Sequence, residues 1–139
     1  MVFRTLFATV LVLGVATATL SAQPVQQNNT NAIWFENWIG FSNALLRVAH
    51  PDGRFTDVRA DQGTPVFSLS GKTVDGVYRY ELRATTDEKV KNRDFSSVVP
   101  SGEERQEYVF KPFYRTGSFV VERGVIMRPQ ASKELMKEK

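Results

Sequence analysis

The residue types that perform chemistry in proteins are scarce in this chain. It has one histidine, His50, and no cysteine. Nucleophilic catalysis needs an activated nucleophile beside a base, and a zinc site needs several histidine or cysteine ligands. His50 precedes Pro51 in a turn pattern, where a solvated side chain is the expected role. The sequence therefore predicts no catalytic residue and no metal site.

The acidic residues do not form a recognisable site either. They are spread over predicted turns without the spacing of a calcium-binding loop, at Asp52, Asp57, Asp61 and Asp75. The tripeptide at 71–73 is similar to the end of a phosphate-binding loop, but no helix pattern follows it. We therefore expect no cofactor and no enzymatic activity, and a hydrolase of unrecognised type is the least favoured alternative.

Aromatic and aliphatic residues make up the candidate binding surface. Its members are Trp34, Trp38 and Phe41, close together near the start of the domain, and Phe95, Val98 and Val99, an apolar island in a polar stretch. The tryptophans either face the core, which is the favoured interpretation, or form an exposed platform for sugars or a protein. This apolar island either packs its loop against the domain or forms a docking site for a partner.

The first 22 residues predict export. Residues 1–4 carry one positive charge, residues 5–20 carry none, and Ser21 and Ala22 are small. This pattern is typical of a secretory signal peptide cleaved after Ala22, with a membrane anchor as the alternative. We expect a secreted, periplasmic or cell-surface protein without a transmembrane segment once the signal is removed.

The remainder predicts one domain between two polar ends. Residues 23–31 are rich in Gln and Asn and predict a flexible leader, residues 32–129 the domain, and residues 130–139 a charged tail. The formal net charge is +3, but the basic residues are interspersed, which argues against nucleic acid as a partner. Without cysteine, the domain must be stable through its core alone.

Strict alternation of apolar and polar residues marks the central strand, at 74–84. One side of it carries Tyr78, Tyr80, Leu82 and Ala84, and the other side carries charges. This period of two predicts a strand with one buried face, which a second layer must cover. We expect the same core to contain Leu46, Val48, Phe67, Leu69 and Phe119.

Turn signals separate further strand patterns along the chain. The turn at 51–53 predicts a hairpin, residues 85–107 predict a long polar loop, and residues 108–114, 117–122 and 125–127 predict the last three strands. Pro65 marks a strand that begins there or lies at a sheet edge, and Pro112 marks a sheet edge or a bend. With seven or eight short strands and no helical period, the sequence predicts an all-β sandwich.

The segments 47–53, 75–82 and 117–124 give the chain a resemblance to small bacterial secreted β-sandwich domains of the immunoglobulin or fibronectin type III kind. The chain departs from antibody domains because it lacks the Cys…Trp…Cys pattern, and its loop at 85–107 is long. Such domains mostly bind or space other molecules. The resemblance implies a non-enzymatic protein that contacts another exported protein or itself, with a carbohydrate-binding module as the alternative.

Overall fold

The computed structural model describes residues 23–93 and 106–128, which form eight strands and no helix longer than a single turn. The strands are β1 (Val25–Asn28), β2 (Ala32–Glu36), β3 (Phe41–Ala49), β4 (Phe55–Gln62), β5 (Phe67–Ser68), β6 (Gly76–Lys91), β7 (Tyr108–Glu122) and β8 (Val125–Ile126). All strand pairs are antiparallel. The predicted all-β fold is confirmed.

The strands form two sheets. The smaller has the order β1-β2-β5 and the larger the order β4-β3-β6-β7-β8. The predicted hairpin is the pair β3–β4, joined by a turn in which Gly53 adopts a φ of 86°. Pro65 precedes β5, an edge strand of the smaller sheet, and Pro112 lies on β7, whose outer side pairs with β8 only at Val121 and Glu122.

The core lies between the sheets and is centred on β6. Tyr78, Tyr80 and Leu82 are buried, as their alternation predicts, and Ile33 and Phe35 of β2 pack against them from the smaller sheet. The Phe35 and Tyr80 rings meet edge to face with centroids 5.4 Å apart. The other predicted core residues are also buried, except Leu69, which is half-buried at its margin: Leu46, Val48, Phe67 and Phe119.

A close approach between β6 and β7 dictates the residue at position 117. Gly117 is the register partner of Tyr80, whose ring leans across it. A Cβ atom at Gly117 would lie 2.3 Å from the Tyr80 hydroxyl oxygen and 2.5 Å from Cζ. The lean brings that hydroxyl within 2.9 Å of Gln26 Oε1, to which it donates a hydrogen bond. Gly117 therefore allows β6 to contact β1.

The structure corrects the interpretation of residues 23–31 as a flexible leader. Val25–Asn28 pairs with β2 over four residues, and Pro24 before it is fully buried. The turn that follows is held by Asn29, whose Oδ1 accepts hydrogen bonds from the backbone of Asn31 at 3.0 Å and Ala32 at 2.7 Å. Backbone pairing and an Asx turn order this segment, so its polar composition was misleading.

The long loop predicted at 85–107 is also shorter than expected. β6 continues to Lys91, and β7 is one strand of 15 residues where two were predicted. A register shift between Thr85 and Lys89 marks a bulge, beyond which the two strands form a ribbon. The charged composition of residues 86–91 hid this extension, because four of these six residues are charged and no alternation of apolar and polar residues marks a core side there.

We expect Gly117→Ala to destabilise the fold by about 1–3 kcal/mol, because its Cβ would force the Tyr80 ring out of place. Urea denaturation followed by tryptophan fluorescence would measure this. Ser118→Ala is the matched control, since it changes the neighbouring residue of the same strand without entering the core. Equal midpoints for the two variants would show that the Tyr80 ring does not need the space above Gly117.

Deletion of residues 23–28 should lower the free energy of unfolding, because it removes β1, the acceptor for Tyr80 and the buried ring of Pro24. The same denaturation assay applies. Val25→Ala, a change at an exposed position of β1, should have an effect below about 0.5 kcal/mol. A deletion as mild as this control would restore the interpretation of the segment as a flexible leader.

Candidate functional site

The aromatic residues near the start of the domain do not form an exposed platform, which was the less favoured of the two interpretations. Trp38 and Phe41 are half-buried at one end of the core, with ring centroids 5.0 Å apart, and Phe41 packs in turn against Phe113. Trp34 is half-buried on the face of β2 opposite Ile33 and Phe35, so its predicted place in the core is wrong. Trp38 and Phe41 therefore act in packing.

The second part of the expected surface, Phe95, Val98 and Val99, lies outside the described residues, as do the predicted signal peptide and charged tail. Within the described residues, no group of three or more His, Asp or Glu side chains is placed to hold a metal ion.

His50 makes one of the two contacts that a catalytic histidine needs. Its Nε2 lies 2.7 Å from Thr56 Oγ1, the contact that a base makes with a hydroxyl nucleophile. Its buried Nδ1, however, has no partner among the described residues, so no carboxylate orients the ring. The carboxylate of nearby Asp52 instead accepts hydrogen bonds from Arg54.

The surroundings of His50 explain its protonation. The ring packs against Phe67 and Tyr78, at centroid distances of 5.9 and 5.0 Å. Burial, and then the positive charge of Arg54, lower the pKa of His50 below its ordinary value, while Asp52 acts in the opposite direction. The imidazole is therefore neutral at physiological pH and ties the β3–β4 turn to β5 and β6.

Exposed aromatic rings occur instead on β7. Its even-numbered residues point away from the smaller sheet, and Tyr108, Phe110 and Tyr114 among them are 54%, 52% and 57% exposed. The adjacent residues of β6 on that face are cationic: Lys91 is the register partner of Tyr108, Lys89 of Phe110 and Arg83 of Tyr114. We call these six residues the β7 stripe.

The cations of the β7 stripe lie close to its rings. Lys89 Nζ is 5.8 Å from the Phe110 centroid, and Arg83 Cζ is 5.7 Å from the Tyr114 centroid, both within cation–π range. Arg83 also forms a long ion pair of 3.6 Å with Glu81. Lys89 and Lys91 form no ion pair with any acidic residue that the structure describes. Positive charge is thus available beside the rings.

The outer edge of β7 is open over most of its length. β8 pairs with it only at Val121 and Glu122. Met127 N donates to Val120 O on this edge, whereas Lys111 O faces β6 and accepts from Thr86 Oγ1. Even-numbered residues of β7 therefore direct their backbone groups outward, and those of Tyr114, Thr116 and Ser118 have no strand partner in the described part of the chain.

A groove of about 1330 Å³ lies against β3, β6 and β7 on the outer face of the larger sheet. Two of its charged side chains, those of Arg47 and Asp75, are engaged in contacts within the fold. Arg47 forms a two-pronged ion pair with Asp57, at 2.8 and 2.9 Å, and the Asp75 carboxylate accepts from the backbone of Arg123 and Gly124. These contacts stabilise the β3–β4 and β7–β8 hairpins, which is a structural role.

Sequence reasoning missed the β7 stripe although a signal for it existed. Tyr108, Phe110 and Tyr114 share the parity of one strand face, but the chain was read as two strands separated at 115–116. Lys89 and Lys91 were assigned to the loop at 85–107, and Arg83 to the polar face of the strand at 74–84, so their pairing with these rings was not considered. One residue in the sequence, Pro112, indicated the open edge of β7, because it was interpreted as an edge marker.

Comparison of the chain with known proteins found no relative. No family model, no curated protein and no solved structure matches the chain. In the described ranges there is also no helix of the length and apolarity needed to span a membrane.

Stability should depend on pH through His50. Its pKa is lower in the folded chain than in the unfolded one, so the unfolded state binds more protons below about pH 6.5. The free energy of unfolding should therefore be highest above that value and fall as the pH is lowered through it.

The comparison is between urea denaturation of the wild type and of His50→Gln, at about pH 7.5 and about pH 5.5. The wild type should lose more stability over this interval than the variant, because only the wild type must place a charge beside Phe67 and Tyr78. Parallel losses in the two proteins would show that other groups cause the pH dependence.

Proposed function

We propose that this chain is an exported binding protein without catalytic activity, and that it contacts a protein partner by strand addition along the outer edge of β7. The observation that carries this proposal is the run of outward backbone groups at Tyr114, Thr116 and Ser118. Backbone N–H and C=O groups at an open edge can pair with an extended segment of another chain. Export is inferred from the sequence of residues 1–22.

The usual protection of an open edge is weak at this part of β7. Proteins blunt exposed edges with charged side chains, prolines, bulges or very short strands. The outer-face side chains here are uncharged, and the inner-face cation Arg115 is turned inward, where its guanidinium donates to Pro24 O. Pro112 removes one outward donor and so limits the open segment on one side. A partner strand would fit between Pro112 and Val120.

The strand orders support a relation to immunoglobulin-like or fibronectin type III domains. In both, two neighbouring hairpins lie side by side in one sheet, as β4-β3 and β6-β7 do here. Near the start of β6, the Tyr78 hydroxyl donates to Val74 O at 2.7 Å, four residues upstream. A tyrosine at this corner with this backbone contact is a hallmark of immunoglobulin-like sandwiches. Such domains commonly act in binding, which supports the proposed class.

Two substitutions at one position test the edge. Thr116→Pro removes an outward N–H that the internal ladder does not use, so the chain should remain folded and lose partner binding. Thr116→Ala keeps that N–H and should bind as the wild type does. Binding is measured by capture from the extracellular and periplasmic fractions of the host, and self-association by sedimentation.

Amide hydrogen exchange provides the geometric control. In the isolated chain the amides of Tyr114, Thr116 and Ser118 should exchange faster than those of Phe113 and Arg115, which face β6. They should become protected when a partner is bound. Equal capture by the Pro and Ala variants, or protection of these amides in the monomer, would contradict strand addition at this edge.

A further inference from the structure

The β7 stripe lies on a face of the ribbon rather than at its edge, and a strand added along β7 would not use its rings and cations. We infer that the β7 stripe is a second binding site, and that its ligand is an acidic polysaccharide. This ligand class goes beyond the proposed protein contact.

The spacing of the rings favours a ligand that is itself a chain. Side chains two residues apart on one strand face are separated by about 7 Å, so Phe110 and Tyr114 lie about 13 Å apart. Tyr108, Phe110 and Tyr114 are more than half exposed, and none of the ring contacts in the described part of the chain joins two of them. A row of separate, solvent-exposed ring faces can stack against the C–H faces of successive sugar rings.

The charges of the stripe favour an acidic ligand. Each ring has a cation of β6 as its register partner, and two of the cations lie over their rings at less than 6 Å. Lys89 and Lys91 have no ion pair with a described acid, so their charges are free to meet carboxylates or sulfates of the ligand. A neutral glycan would leave these cations unused.

Two other partner classes fit the stripe less well. Lysine is depleted in the cores of protein interfaces, and the stripe has two lysines among six residues. A nucleic acid strand needs a continuous positive track, whereas Glu81 and Asp57 lie on the same outer face near Arg83. A polysaccharide with a lower density of negative charge matches a short row of three cations.

The test measures binding of the full chain to polygalacturonate by affinity electrophoresis and calorimetry, with an uncharged galactan beside it. We expect binding to polygalacturonate that weakens as NaCl is raised, and none to the galactan. Phe110→Ala and Tyr114→Ala should each weaken binding by roughly tenfold, and Lys89→Gln combined with Lys91→Gln should abolish most of the salt dependence.

Three controls make the result specific. Phe55→Ala removes a ring that is 68% exposed but lies on β4, outside the stripe, and should bind as the wild type does. Tyr114→Phe keeps the ring and should retain most of the binding. Thr116→Pro alters the edge alone and should leave glycan binding intact, so failure of the edge proposal would be distinguishable from failure of this one.

The inference is overturned if the wild type does not bind polygalacturonate, or if Phe55→Ala weakens binding as much as Phe110→Ala does. Binding of poly-glutamate or of an oligonucleotide as tight as that of polygalacturonate would replace the polysaccharide with a nonspecific attraction between charges. Equal binding of the galactan would retain the aromatic role and remove the requirement for acidic groups.

Discussion

The contact between Tyr80 and Gln26 is the constraint on which the rest of the structure depends. Burial raises the pKa of Tyr80, with the charge of Arg115 acting in the opposite direction, and a buried hydroxyl needs a hydrogen-bond partner. Gln26 of β1 is that partner, and the ring reaches it only because Gly117 leaves room. The Tyr80 side chain, together with Arg115, which donates to Pro24 O, therefore ties β1 to the larger sheet and helps to hold the smaller sheet over the core.

The same contact shows how far the fold could be predicted from the sequence. Period-two alternation correctly identified the buried face of β6, because burial on one side of a strand leaves a direct trace in residue type. β1 left no such trace. Its residues are stabilised by backbone pairing and by amide side chains, and a Gln/Asn-rich segment has the same composition whether it is paired or free. The prediction that Trp34 faces the core was wrong for a related reason. The size of a tryptophan side chain predicts that it is buried, but not which face of β2 it occupies.

The candidate sites were harder to predict than the core, because each depends on pairing between distant residues. The stripe needs Tyr114 beside Arg83, and Phe110 beside Lys89 beyond a bulge. Neither pair is visible until the register of β6 and β7 is known. The open edge is likewise defined by what β8 fails to reach. The sequence predicts a strand at 125–127, but not that β8 pairs with β7 only at Val121 and Glu122. His50 was predicted to be solvated and non-catalytic because of its position in a turn. The structure instead places its ring against Phe67 and Tyr78.

The two proposed surfaces share β7 but use different directions in space. Side chains of a strand stand roughly perpendicular to the sheet, whereas backbone hydrogen bonds lie in its plane. A glycan on the rings and a partner strand at the edge would therefore approach at right angles, and both can be bound at once.

Tyr114 is the residue at which they meet, because its ring belongs to the stripe and its backbone to the open segment. A bound partner strand would place a side chain directly beside the Tyr114 ring, and a bulky one there would compete with the sugar stacked on it. Coupling between the two ligands, if both bind, should therefore pass through Tyr114 and be weak or absent at Phe110, which lies beyond Pro112.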